Sequence, residues 1–144
     1  MPALPGLRVI RSPIHGYGVV ATRDFAPGEL IADVDGVLWR EDELHDDTYC
    51  LWMDEGVYLD MVDQTRWINH CCEPNAEIQG EVVDGVPWAR VVALRPIRAG
   101  EEITYDYGFP AHLAEPCGCG APGCRKFIVA ADELPSLLAD RATG

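Results

Sequence analysis

Residues 66 to 75 read Arg-Trp-Ile-Asn-His-Cys-Cys-Glu-Pro-Asn. Side chains that can coordinate a metal or form hydrogen bonds stand side by side here, ahead of a proline that would end any helix. The apolar spacing of a regular helix or strand is missing. This stretch, called the central segment below, is therefore predicted to be a functional site on which other parts of the chain converge.

The composition is that of a single globular domain. Of the 144 residues, 48% are hydrophobic and 24% are charged, which is enough for one core. The net charge of -13 argues against nucleic acid as the main partner and favours basic partners. The sequence shows no signal peptide and no apolar run of membrane-spanning length. We expect a soluble intracellular protein without membrane contact, cytoplasmic, or nuclear if the source is eukaryotic.

Strand and turn signals predict a mostly β fold with few short helices. Gly16-Tyr17-Gly18 separates two apolar runs and is either a relaxed turn or a place where the backbone approaches a ligand. Asp84-Gly85 predicts a type I′ hairpin, and Pro87 suggests that the second strand starts late or lies at an edge. Stretches 21–31 and 93–103 share Ala, Arg, Gly and Glu at the same offsets, which predicts two similar hairpin-like corners with left-handed glycines.

Acidic residues are concentrated in one part of the chain. Eleven of the 24 lie from Asp33 to Asp63, a stretch in which Arg40 is the single Arg and no Lys occurs. A charge run is commonly a solvated face, and the alternative is a groove that attracts a basic peptide. Strands at 49–53 and 57–59 are predicted around a turn at 54–56.

The C-terminal part carries a cysteine cluster. Cys117, Cys119 and Cys124 are interleaved with Gly and Pro in a loop without a core of its own, and a short helix is predicted from about 131 to 139. Such a loop needs a cross-link, and four thiolates around zinc would supply it, with disulfides or free thiols as alternatives. The candidates for the fourth ligand are Cys50, Cys71 and Cys72.

Four motifs in order resemble the SET-domain protein lysine methyltransferases with a post-SET cysteine tail. They are the Gly-x-Gly, the central segment, the run Glu-Ile-Thr-Tyr-Asp-Tyr at 102–107, and the cysteine cluster. The resemblance implies several small curved β-sheets with a knot-like crossing. It divides the chain into a SET domain at 1–110, a post-SET zinc-binding segment at 111–130, and a short helix and tail at 131–144.

The resemblance also implies the roles of individual residues. S-adenosylmethionine would be bound by Gly16, Tyr17, Gly18, Arg66, Asn69, His70 and Phe127. Structural zinc would be held by Cys72, Cys117, Cys119 and Cys124. Tyr107 would be catalytic, beside Tyr49 and Tyr105, and a hydroxyl at position 105 favours mono- or dimethylation. Because Cys72 closely follows the cofactor residues, zinc and cofactor binding should be coupled.

Methyl transfer explains why aromatic residues would surround the target amine. A lysine amine must lose its proton and its water before attacking the methyl group, so a narrow, dry channel favours the reaction. The expected substrate is a Lys/Arg-rich protein or peptide, such as a histone-like tail. The alternative is an inactive zinc-stapled module that binds basic peptides. A zinc hydrolase is disfavoured, because four thiolates leave no open position on the metal.

Overall fold

A computed structural model describes residues 4–43, 48–54 and 56–143. The described residues form short strands, four 3-10 turns and a single α-helix, which agrees with the predicted mostly β class. The strands are β1 (Leu7–Arg11), β2 (Tyr17–Ala21), β3 (Leu30–Val34), β4 (Gly36–Arg40), β5 (Cys50–Asp54), β6 (Val57–Met61), β7 (Asn69–His70), β8 (Ala76–Val83), β9 (Val86–Ala93), β10 (Thr104–Tyr105), β11 (Glu115–Pro116) and β12 (Phe127–Ile128). The 3-10 turns are Glu41–Glu43, Gln64–Trp67, Ala111–Leu113 and Ala131–Glu133, and the last runs into helix α1 (Leu134–Thr143).

The described strands pair into five small sheets. Two sheets have three strands, in the orders β3-β9-β8 and β4-β6-β5, and both are antiparallel. The other three are the antiparallel pairs β1-β2 and β11-β12 and the parallel pair β7-β10. The parallel pair positions the site, because it places part of the central segment beside a strand from a distant part of the chain.

The hairpin at Asp84-Gly85 forms as predicted, with φ angles of 51° and 76° at the two residues. The expectation for Pro87 was wrong, because β9 starts at Val86 and is the central strand of its sheet. The partners of β3 along β9 run from Ala89 to Val92, so at Pro87 the strand is paired with β8 alone. A residue without an N–H is tolerated there because it has a neighbour on one side only.

The two repeated corners face each other. The N–H of Phe25 donates to the carbonyl of Ile97 at 2.8 Å, and the N–H of Ile97 donates to the carbonyl of Phe25 at 2.9 Å. Both glycines are left-handed as predicted, with φ of 80° at Gly28 and 94° at Gly100. The corners were wrongly expected to resemble hairpins, because the strands before and after each corner do not pair with each other.

The core lies between the sheets and includes the middle of the central segment. Val19, Val91 and Ile103 are fully buried, and Ile68 of the central segment is 1% exposed. The predicted strands around the turn at 54–56 are confirmed as β5 and β6, although Glu55 lies outside the described residues. The C-terminal helix continues beyond its predicted end because neither Gly nor Pro occurs between residues 139 and 143.

Candidate active site and zinc centre

The parallel pairing of β7 with β10 builds the site. Asn69 lies opposite Thr104, and His70 lies opposite Tyr105. Asn75, at the end of the central segment, accepts the N–H of Thr104 at 2.9 Å and donates from its side chain to the carbonyl of Glu102 at 2.8 Å. Two motifs separated in the sequence are therefore held against each other by backbone groups and one buried amide.

Tyr105 and Tyr107 lie together as the period of an extended chain predicts, with ring centroids 4.8 Å apart. The Tyr107 hydroxyl donates to the carbonyl of Ile68 at 2.6 Å. Tyr105 is 7% exposed, and its hydroxyl has no hydrogen-bond partner in the described part of the chain. The ring of Phe109 lies 5.6 Å from that of Tyr107 and extends the aromatic cluster.

Both phenols of this pair are neutral at ordinary pH. Burial raises the pKa of Tyr105, and the neighbouring Tyr107 adds to the effect. Burial likewise raises the pKa of Tyr107, with a further contribution from Tyr49. The pair can therefore donate and accept hydrogen bonds, but it carries no charge of its own.

The side chain of Asn69 is used within the protein. Its amide nitrogen lies 3.0 Å from the carbonyl of Tyr17 and 3.0 Å from the carboxylate of Glu102, which also accepts the Ser12 hydroxyl at 2.7 Å. A Cβ at Gly18 would lie 2.6 Å from the same carboxylate. Gly18 is thus required for the close approach of Glu102, a residue that the sequence analysis did not single out.

His70 connects the tyrosines with the cysteine cluster. Its Nδ1 accepts the backbone N–H of Tyr107 at 3.1 Å, so its proton is on Nε2, which lies 3.4 Å from Sγ of Cys72. Burial lowers the pKa of His70, while Asp106 at 3.6 Å acts in the opposite direction and Arg125 lowers it. We therefore treat the imidazole as neutral and its approach to Asp106 as an uncharged contact.

Four cysteines form a cluster of the size that zinc requires. Their Sγ atoms all lie within 4.8 Å of one another, with 3.9 Å from Cys72 to Cys117 and 4.0 Å from Cys72 to Cys124. Four thiolates at about 2.3 Å from a tetrahedral zinc ion are separated by about 3.8 Å. The cluster comprises Cys72, Cys117, Cys119 and Cys124. These thiols fit zinc, and of the three candidates for the fourth ligand the structure selects Cys72.

The thiols of this cluster differ in acidity. Burial raises the pKa of Cys72 and of Cys117. Burial also opposes ionisation of Cys119, but hydrogen bonds from backbone N–H groups outweigh it and lower the pKa to about 6. Because the thiolate is the form that coordinates a metal, these hydrogen bonds favour the coordinating form of Cys119.

Arg66 lies in an aromatic wall beside the tyrosines. Its guanidinium carbon is 4.1 Å from the ring centre of Tyr49 and 5.9 Å from that of Trp67, which in turn is 6.0 Å from Tyr17. The Nε of Arg66 is buried without a hydrogen-bond partner. Among the described residues the guanidinium has no hydrogen bond and no ion pair. A cation in this state is available for an anionic group of a ligand.

The last two predicted cofactor residues lie at the edges of this region. Gly16 has a φ of 47°, and a Cβ built on it would meet no atom within 4 Å, so the space beside it is open. Phe127 is half-buried on β12, and the guanidinium of Arg141 lies 4.6 Å from its ring centre. One face of the Phe127 ring is therefore already covered by the C-terminal helix.

The SET domain family model matches residues 16–108, which include the Gly-x-Gly, the central segment and both tyrosines. The chain belongs to the SET-domain family. It is 37% identical over 139 residues to histone-lysine N-methyltransferase 2B of Homo sapiens, covering 83% of this chain and 5% of that protein. It is 32% identical over 157 residues to histone-lysine N-methyltransferase ASHH3 of Arabidopsis thaliana, covering 94% of this chain and 42% of that protein. This chain thus spans less than half the length of these relatives.

Solved structures show the same SET fold. The crystal structure of KRYPTONITE with mCHH DNA, an H3(1-15) peptide and SAH matches with a TM-score of 0.73 and 28% identity, covering 85% of this chain and 29% of that one. A second KRYPTONITE complex, with mCHG DNA and SAH, gives a TM-score of 0.74. Because both complexes contain DNA, the comparisons do not support the expectation that the protein does not bind nucleic acid directly. No helix in the described residues is long and apolar enough to cross a membrane.

Within this SET domain the structure brings together most of the residues that the sequence singled out. Asn69, His70, Tyr105 and Tyr107 are adjacent, and the zinc ligands lie directly behind His70. Four residues of the surrounding network were not predicted from the sequence. These are Ser12, Glu102, Asp106 and Arg125. Two of the four, Glu102 and Asp106, belong to the motif at 102–107. Their place in that motif is the sequence signal from which they could have been found.

Proposed function

We propose that this SET domain is an S-adenosylmethionine-dependent protein-lysine methyltransferase. The observation that carries the proposal is the uncharged pair of the buried Tyr105 and the half-buried Tyr107 beside the central segment. The relatives support it, since their names are histone-lysine N-methyltransferases. The KRYPTONITE complexes contain SAH, the product that S-adenosylmethionine leaves after methyl transfer. Bound here, S-adenosylmethionine would supply an electrophilic methyl group.

The residues present fit such a cofactor. Its amino-acid carboxylate would give the buried Nε of Arg66 the partner that it lacks. Gly16 leaves open space for the ligand. We assign Tyr17, Gly18, Asn69 and His70 to the cofactor mainly through their backbone groups. The amide nitrogen of Asn69 already serves Tyr17 and Glu102, so its role is mainly to hold these backbone segments. Phe127 offers its remaining face to the adenine.

The hydroxyls of Tyr105 and Tyr107 have different roles at the lysine amine. Because the hydrogen of the Tyr107 hydroxyl is donated to Ile68, its oxygen is left as an acceptor that can orient an N–H of the amine. The Tyr105 hydroxyl is unpartnered within the described residues and can hold a water molecule next to the amine. That water would have to leave before a bulkier methylated amine fits, which favours mono- or dimethylation. We assign Tyr49, on whose ring Arg66 stacks, to the wall of the same channel.

The net charge of -13 and the acidic run from Asp33 to Asp63 favour a basic protein segment as the substrate. The described acidic residues Asp33, Asp35 and Glu41–Glu43 are exposed, and Glu41 and Asp42 line a surface depression with Arg40, Gly56 and Val57. Asp46, Asp47 and Glu55 of the acidic run lie outside the described residues. Of the two interpretations of this run, we propose the groove, because one of the KRYPTONITE complexes holds an H3 peptide.

Incubation of the zinc-loaded protein with labelled S-adenosylmethionine and an array of Lys/Arg-rich peptides tests the function. We expect transfer to lysine and a kcat about 100-fold lower in Tyr107→Phe, since this substitution removes one oriented hydroxyl and little volume. Calorimetry separates the enzyme from an inactive peptide-binding module. A folded, zinc-loaded sample that binds basic peptides but neither S-adenosylmethionine nor SAH would favour the module.

A further inference from the structure

Asp106 lies in the sequence between Tyr105 and Tyr107, called the channel tyrosines below. Both of its carboxylate oxygens accept a hydrogen bond. Oδ1 accepts the backbone N–H of Gly108 at 3.0 Å, and Oδ2 accepts Nη2–H of Arg125 at 2.8 Å. Neither methyl transfer nor zinc coordination, as described above, uses this carboxylate. Its position nevertheless allows it to control where the chain from Tyr105 to Tyr107 lies.

Arg125 reaches this carboxylate from the zinc-binding loop. It follows Cys124 directly, and its backbone N–H points at Sγ of Cys72 at 3.3 Å. Its side chain is only 13% exposed, against 33% for Asp106, and its Nε is buried without a partner. A guanidinium withdrawn from water in this way depends on its one carboxylate, unlike the exposed ion pairs that contribute little to stability.

We propose that Arg125 is a positioning residue that ties the zinc-binding loop to the channel tyrosines through Asp106. Zinc bound by the four thiolates would fix the zinc-binding loop. The guanidinium of Arg125 on that loop then holds the side chain of Asp106, and with it the backbone of Tyr105 and Tyr107. Tyr107 is held a second time, because its N–H donates to His70, whose other ring nitrogen approaches Cys72. The effect on turnover rests on the proposed function, whereas the effect on the zinc-binding loop does not.

The test compares Arg125→Met, Arg125→Lys, Asp106→Asn and the double variant Arg125→Met/Asp106→Asn. Arg95→Met is the matched control, because it removes an exposed arginine that pairs with Glu101 at 3.5 Å within the corner at 93–103 and not with Asp106. The measurements are the rate of zinc transfer to a chromogenic chelator, and kcat and KM with a basic peptide. The zinc measurement requires no turnover.

We expect Arg125→Met and Asp106→Asn each to release zinc faster and to lower kcat by about 10- to 100-fold, the usual cost of losing a group that supports a metal site. The double variant should be no worse than either single variant, because both remove the same contact. Arg125→Lys should recover part of both losses, since a single N–H from Arg125 reaches Asp106. Arg95→Met should match the wild type.

Equal losses in Arg125→Met and Arg125→Lys would overturn the proposal, because they would show that the shape of the arginine matters and its ion pair does not. Additive effects in the double variant would also overturn it, as would a change confined to the KM of the peptide. Should Arg125→Met fail to fold, Asp106→Asn decides the matter, because the amide keeps the shape and the acceptor for Gly108. If the Arg125 and Asp106 variants release zinc faster but neither they nor the wild type transfer a methyl group, the link through Arg125 and Asp106 is upheld and the proposed function is rejected.

Discussion

Replacing Arg66 with methionine should weaken the binding of S-adenosylmethionine without destabilising the cofactor-free protein. The guanidinium stacks on Tyr49 with its Nε buried and unpartnered. A buried polar group in this state costs about 1–3 kcal/mol, and the cofactor-free protein bears that cost. A charge-assisted hydrogen bond to the carboxylate of the cofactor would relieve it on binding.

The size of both effects follows from this contact. Loss of one charge-assisted hydrogen bond, about 1.5–3 kcal/mol, corresponds to a Kd that is about 10- to 150-fold higher. Methionine at position 66 removes the unsatisfied Nε and keeps an apolar contact with the Tyr49 ring, while a cation–π interaction of about 0.5–1 kcal/mol is lost. The midpoint of thermal unfolding of cofactor-free Arg66→Met should therefore stay at or above that of the wild type.

Calorimetry with two ligands tests whether Arg66 binds the amino-acid carboxylate of the cofactor. S-adenosylmethionine carries the amino-acid carboxylate, and methylthioadenosine lacks the amino-acid part altogether. Arg66→Met should weaken the first and leave the second unchanged. Arg23→Met is the control, because its guanidinium also stacks on a ring, 3.9 Å from the centre of Phe25, but is already paired with Glu29 at 2.7 Å within the corner at 21–31. An equal loss for both ligands, or a marked fall in stability of Arg66→Met, would refute the reasoning.

Three further outcomes are expected. Tyr105→Phe should add more methyl groups per lysine, measured by mass spectrometry, and an unchanged product would contradict the role of its hydroxyl. Removing zinc with a chelator, or Cys72→Ser, should raise the Kd of S-adenosylmethionine about 5- to 150-fold; unchanged affinity in a folded sample would disprove the coupling. Neutralising Glu41–Glu43 with amides should raise the KM of a basic peptide at low ionic strength, and this difference should vanish near 1 M salt, where the Debye length is about 3 Å. Glu81→Gln is the control for that series, and rates indifferent to salt and to charge would reject the acidic groove.

Local signals in the sequence were reliable where one short stretch decides its own conformation. Asp84-Gly85 predicted its turn because both residues tolerate a positive φ, and Tyr105 and Tyr107 share a side because alternate residues of an extended chain do so. The prediction from Pro87 was wrong because a strand accepts a proline wherever no second strand pairs with it at that position. The partner strand β3 comes from more than fifty residues earlier and stops short of Pro87.

The sequence by itself determined the family, the mostly β class and the types of residue at the site, because these are carried by motifs of a few adjacent residues. The family resemblance implied Cys72 as the fourth ligand, and the tertiary structure brought its thiol to the other three. Only the tertiary structure decided that Gly18 admits the carboxylate of Glu102 and that Arg125 reaches Asp106. Cys50, Cys71 and Cys72 were equivalent candidates on spacing alone. They became distinct when the pairing of β7 with β10 oriented the central segment, because distances between side chains far apart in the chain are set by how the sheets pack.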